Sequence, residues 1–218
     1  VPDRKPPIEL PVLELSPDNV RFEFSMAIAC DDPHLDYVTR FKGVALLDDP
    51  DAEAPLELCQ AEGHRLNFCD ALNQGVDLEQ LFDSLSAELS DFYRVAFRPD
   101  GSGRLRTTHG THPAGEICNL VYVDQIEVRP EARGMGIGSR MVRRLVRALD
   151  AGDSLVALKA FPLSDEGEEA QGREAREKQI RRVKRFYSAL GFEPVGEEFM
   201  VADARTFKSR LAGRRQPA

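Results

Sequence analysis

Three glycines at alternate positions, Gly134, Gly136 and Gly138, follow an apolar, β-branched run and open a stretch of helical periodicity. The order is strand, glycine turn, helix. Glycine lets the backbone curl tightly and approach a ligand without a Cβ clash. After the turn, Ile137, Met141, Leu145, Ala148 and Leu149 recur at helical spacing, with Arg140, Arg143, Arg144 and Arg147 on the wet side. A helix that starts this way offers unpaired amides and the positive end of its dipole, which suits a phosphate or pyrophosphate. A second candidate for chemistry is Asp124. If residues 117–128 form one unbroken strand ended by Pro130, then Cys118, Leu120, Tyr122, Asp124, Ile126 and Val128 share a face. Asp124 is the one charge in that row. Its charged form would be disfavoured there, raising the pKa toward the value a general base needs. Glu127 would point to the other face. A bulge would shift this register and put Asp124 in solvent.

The phosphate ligand can be narrowed by elimination. A dinucleotide fingerprint needs G-x-G-x-x-G directly off the strand, but here the third glycine comes one residue early, and residues 129–133 intervene. A triphosphate loop needs Gly-Lys-Ser/Thr, and no lysine follows Gly138. What remains is Val128-x-Pro130, then Arg133-x-x-Gly136-x-Gly138. This resembles the acetyl-coenzyme A loop of the GCN5-related N-acetyltransferase (GNAT) superfamily. A second similarity lies about fifty residues on, in Phe186-Tyr187-Ser-Ala-Leu-Gly191-Phe192, close to the family's Phe-Tyr-x-x-x-Gly-Phe ending.

The resemblance implies several roles. The backbone of Ile126, Glu127 and Val128 would pair with the pantetheine arm as if it were a short extra strand. The amides of Arg133, Gly134, Met135, Gly136, Ile137, Gly138 and Ser139 would hold the pyrophosphate. An acidic residue placed like Asp124 would take the acceptor's proton, directly or through water, and Tyr187 would protonate the departing thiolate. The co-substrate would be acetyl-CoA, and the activity N-acetyl transfer by direct attack of a primary amine. One departure stands out. Many members carry Asn and Ala where this chain has Ile180 and Val183. The alternative function is therefore a coenzyme A-binding sensor or interaction module without turnover.

The elements that must position these residues are legible in part. Arg21 to Ala29 and Val38 to Leu47 read as a hairpin across the turn residues 31–34, and Arg65 to Cys69 as a further short strand. Val76 to Tyr93 reads as one amphipathic helix, with Leu78, Leu81, Phe82, Leu85, Leu89 and Phe92 inward. Ser154 to Phe161 follows the Ile137 helix and should lie parallel to the Asp124 strand. Arg173 to Leu190 reads as a basic helix with Ile180, Val183, Phe186 and Leu190 inward, and the last strands fall at Val195 and Glu198 to Ala202. The expected fold is α/β and GNAT-like, a mixed, mostly antiparallel, splayed sheet flanked by helices. The expected organisation is a proline-rich arm over residues 1–19, one domain over 20–203 and a basic tail over 204–218.

Composition bounds the partners. The 218 residues carry a net charge of −8, which hides an asymmetry. Residues 1–100 hold 8 Lys and Arg against 21 Asp and Glu; residues 101–218 hold 21 against 16. An acidic half facing a basic half suits an anionic cofactor on one side and, as acceptor, a small cationic molecule or peptide amine on the other. Arginines without interleaved aromatics argue against nucleic acid, and no run reaches membrane-span length. A homodimer is compatible with the sequence. Cys30, Cys59, Cys69 and Cys118 form no Cys-x-x-Cys pair and read as reduced thiols of a cytoplasmic protein. His109 and His112 lack a nearby third ligand, so no metal is expected.

Overall fold

The computed structural model describes residues 19–28, 36–48, 54–106, 118–149, 154–162 and 173–205. The arm expected before residue 19, the tail expected from 206, the turn expected at 31–34, Cys30, His109, His112 and residues 163–172 lie outside them.

Seven strands form one sheet in the order β1-β2-β3-β4-β5-β7-β6. The strands are β1 (Val20–Ile28), β2 (Val38–Leu47), β3 (Leu56–Asn67), β4 (Asn119–Val128), β5 (Ser154–Lys159), β6 (Glu193–Val195) and β7 (Phe199–Asp203). Every pairing is antiparallel except β4 with β5. The fold is thus mixed α/β with a mostly antiparallel open sheet, as expected. The parallel pair arises because α4 (Ile137–Leu149) crosses over between its strands.

Helices cover both faces. On the first face, α1 (Phe68–Asn73), α2 (Leu78–Leu85) and α3 (Ala87–Ala96) pack an aromatic cluster of Phe68, Phe82, Phe92, Phe97 and Tyr93 over Tyr122 and Phe199. Each such fully buried ring contributes roughly 1.5–3 kcal/mol. On the second face, α4 presents Val142, Leu145 and Val146, and α5 (Arg173–Leu190) presents Tyr187 and Leu190.

Three expectations need correction. The strand expected from Arg65 begins at Leu56, and Phe68 and Cys69 already belong to α1, whose start is capped by the Asn67 side chain accepting from the Asp70 amide. The single helix expected over 76–93 is two. Ser86 is extended (φ −169°, ψ 157°), ends α2, and caps α3 by accepting from the Leu89 amide at 3.1 Å. The inward stripe of α5 is also offset, for Tyr187 is 9% exposed while Phe186 is 37% exposed.

Candidate active site

Strand β4 carries most of the site, and it is not regular. Gln125 pairs with Glu62, and Val123 with Gly63, so Asp124 is an extra residue with no partner on β3. This is a β-bulge. Gly63 is required beneath it, because a Cβ there would run into the Tyr122 carbonyl and the Phe41 ring. The bulge breaks the face expected for the whole strand. Tyr122 and Leu120 point into the first-face core, whereas Ile126 and Val128 pack on the second face with Ala132 and Ile137. Glu127, expected opposite Asp124, instead lies alongside Gln125, whose side-chain amide donates to it at 3.4 Å.

Asp124 does not sit in an apolar row. Its side chain is 32% exposed, and Oδ2 lies 2.8 Å from His64 Nδ1. Both line a cleft of about 460 Å³ with Ser25, Arg40, Lys42 and Glu62. That lining mixes cations with carboxylates, where the charge of the first half had pointed to an acidic wall. Sequence reading missed His64, Arg40 and Lys42. The signal that could have found His64 is the Glu62-Gly-His64 step, hidden because the strand was expected to begin at Arg65.

Beyond the bulge the sheet opens. Strand β5 pairs with β4 only from Asn119–Ser154 to Val123–Leu158, while β4 runs on to Val128. On its other side β4 stays paired with β3, and the Arg129 amide donates to the Leu58 carbonyl at 3.0 Å. Alternation in an antiparallel ladder then turns the backbone of Gln125 and Glu127 toward β3 and that of Ile126 and Val128 toward the gap. The Val128 carbonyl accepts from Arg133 Nε at 3.1 Å.

The gap leads into the glycine loop. After one 3-10 turn at Pro130–Ala132, Gly134 and Gly136 take φ of +83° and +76°, which L side chains rarely adopt. A Cβ at either would meet nothing within 4 Å. Arg133, Gly134, Met135 and Gly136 are exposed, and Ser139 is half-buried in the first turn of α4. Ile137 is buried, so only its backbone is available. A Cβ on Gly138 would lie 3.3 Å from Val128 and 3.6 Å from Phe186, which brings strand end, helix start and α5 together. The amides of Ile137, Gly138 and Ser139 start α4 with no intrahelical acceptor. Arg140 and Arg144 stack over the Phe22 ring at 5.6 and 4.9 Å, and burial, then Arg144, lowers the Arg140 pKa.

Tyr187 closes the second face over the gap. It packs in the cluster that holds Val123 and Leu158, the last paired residues, with Ile126 and Ala160 beyond them. Its ring meets Phe186 and Phe192 edge-on at 5.0 and 5.6 Å. Burial, with Cys59 nearby, pushes the phenol well above its ordinary pKa, so the hydroxyl keeps its proton. Asp124 opens on the opposite face. There the Tyr122 hydroxyl donates to Glu88 at 2.7 Å, and Lys159 at the end of β5 sits 3.0 Å from Glu198. Val183 packs partly buried beside the Tyr187 cluster, and Ile180 lines a separate hollow with Phe161 and Lys184. Among the described residues, no three His, Cys, Asp or Glu side chains group as a metal site, and Cys59 and Cys118 are free thiols. No helix among them is long and apolar enough to cross a membrane.

The acetyltransferase (GNAT) family model matches residues 101–162, which take in β4, the glycine loop, α4 and β5. The resemblance read from the loop is therefore shown over that stretch, and it supports acetyl transfer as the general activity. No curated protein matches the sequence at a significant level. Among solved structures, the chain is similar to the KacTA–DNA complex (TM-score 0.44, 10% identity, 88% of this chain and 99% of that one). It is also similar to AtaTR bound with AcCoA (TM-score 0.44, 11% identity, 89% and 99%). A third is NAA60 of Arabidopsis thaliana with a bisubstrate analogue (TM-score 0.35, 12% identity, 77% and 76%). Likeness this loose assigns no substrate. It does overturn one expectation: the exclusion of nucleic acid as a partner does not stand, since the first of these structures is a complex with DNA.

Proposed function

We propose that the chain is an acetyl-CoA-dependent N-acetyltransferase that moves an acetyl group to a primary amine by direct attack. The observation that carries this reading is the split after Val123 and Leu158, where β4 parts from β5 and runs on, paired with β3 only, into the glycine loop. The residues fit the co-substrate. The Ile126 backbone and the Val128 N–H turn to the gap, where an extended pantetheine arm can pair; the Val128 carbonyl is held by Arg133. The amides from Arg133 to Ser139 lie at the positive end of α4, the place for a pyrophosphate.

The thioester supplies the acetyl group; the chain supplies position and proton handling. Holding the amine and the thioester at one gap converts a bimolecular attack into a local one. Asp124, on the first face, takes up the amine's proton, directly or through water. Tyr187, on the second face, keeps its proton at neutral pH and donates it to the departing sulfur. Two faces thus serve two reactants. The test is coenzyme A binding by calorimetry, together with thiol release from acetyl-CoA across a panel of amines. Binding with acetyl transfer to an amine is the expected result. Binding without turnover on any amine would favour the module that has lost turnover.

A further inference from the structure

The bulge at Asp124 brings a second side chain to the reaction, in a role that rests on the acetyl-transfer reading. We propose that the amine's proton is taken by His64, at Nε2, with Asp124 holding the ring from its Nδ1 side. His64 lies on β3 in register between Arg40 of β2 and Tyr122 of β4. Its Nδ1 is buried and 2.8 Å from Asp124 Oδ2, and its side chain is 14% exposed where it lines the cleft. The unpaired residue of the bulge can reach sideways to β3, and Gly63, next to His64, is the residue that lets the strands approach there. The contact is close without being a linear hydrogen bond, as is common for catalytic groups before substrate binds.

The chemistry favours the pair over a lone carboxylate. A neutral imidazole carries one N–H, and a carboxylate beside Nδ1 fixes it there, leaving the lone pair on Nε2. An imidazole, with a pKa of about 6.5 in water, is a better match to neutral pH than a carboxylate at about 3.9. In the step, the amine nitrogen forms the C–N bond and gives one proton to Nε2. The C–S bond breaks with its electrons going to sulfur, and the sulfur takes a proton from Tyr187. Solvent carries one proton from the imidazolium back to the tyrosinate. Asp124 stabilises the imidazolium while it lasts. The charged and titratable groups around the ring are Arg40 and Lys42 of β2, Glu62 of β3, and Tyr122 and Asp124 of β4, with Glu88 of α3 bonded to Tyr122.

The experiment is the pH profile of kcat/KM for the wild type, His64→Gln and Asp124→Asn, with coenzyme A affinity measured in parallel. Wild-type activity should rise with pH through a limb that depends on His64. His64→Gln should lose that limb and about 10²-fold in kcat, the low end of general-base effects, with affinity unchanged. If that variant does not fold, His64→Ala with free imidazole in the buffer gives the same reading, partial rescue being expected. A His64 variant that keeps the limb and the rate overturns the role of His64 alone. A wild type that neither binds coenzyme A nor turns over any amine overturns the acetyl-transfer reading beneath it.

Discussion

Val123 and Leu158 are the last residues at which β4 and β5 are paired, and β4 continues past them to Val128. That single divergence organises the site. On one side of it the Asp124 bulge opens toward the cleft with His64; on the other, Tyr187 packs in the cluster of Val123, Leu158 and Ile126, and the start of α4 meets Val128 and Phe186.

Asp124 is the first residue to test. Asp124→Asn removes the negative charge beside His64 and keeps the shape of the bulge. We expect kcat/KM at neutral pH to fall by about 10²-fold with coenzyme A affinity little changed. Steady-state kinetics beside calorimetry measures both, and unchanged turnover would show that the Asp124 carboxylate has no part in the proton transfer.

Tyr187 makes a different prediction. A coenzyme A thiolate leaves moderately well unaided, its conjugate acid being near pKa 8.5 by analogy with cysteine, so protonation should help by only about 10- to 10³-fold. Tyr187→Phe keeps the ring and its contacts with Phe186 and Phe192. The expected result is a lower kcat, similar affinity, and a smaller deficit for thioesters of more acidic thiols. An equal deficit across thiols would show that Tyr187 only positions the co-substrate.

Stability should fall on the alkaline side. Burial, followed by Glu57 and Glu127, raises the Cys59 thiol from 9.0 to about 12. The folded state therefore holds this proton more tightly than the unfolded state. Its contribution is intact below pH 9 and is lost as pH rises toward 12, at roughly 1.4 kcal/mol per unit. Tyr122 and Tyr187, also raised first by burial, add to the slope above pH 10. Urea unfolding at about pH 8 and about pH 10 should show a smaller pH loss for Cys59→Ala than for the wild type. Parallel losses in the two would contradict the burial of that thiol.

The sequence was most legible where one period ruled. The β1–β2 hairpin, α4, the parallel β5 and α5 follow from alternation or helical spacing within single segments. The rest depended on partners far along the chain. Strand β3 hides behind Glu57, Gln60, Glu62 and Gly63, which have low strand propensity and are held by pairing on both sides. Ser86 breaks a helix whose apolar stripe continues across the break. The face of Glu127 was misread because one extra residue, Asp124, reverses every side chain after it. The glycine loop was readable because its conformation is local. The cleft around Asp124 was not, since it draws on β1, β2 and β3 at once.

The most direct measurement is a calorimetric titration of coenzyme A into the wild type and Gly136→Val. Gly136 has φ of +76°, and a Cβ there would meet no other atom within 4 Å. The strain should cost about 1–3 kcal/mol of stability, leaving the fold intact. It should weaken coenzyme A by about 100-fold or more, because the side chain stands between the pyrophosphate and the α4 amides. Tight binding by the wild type and its loss in the folded variant is the predicted result. Equal affinity in the two proteins, or no binding by the wild type, would contradict a coenzyme A site at this loop.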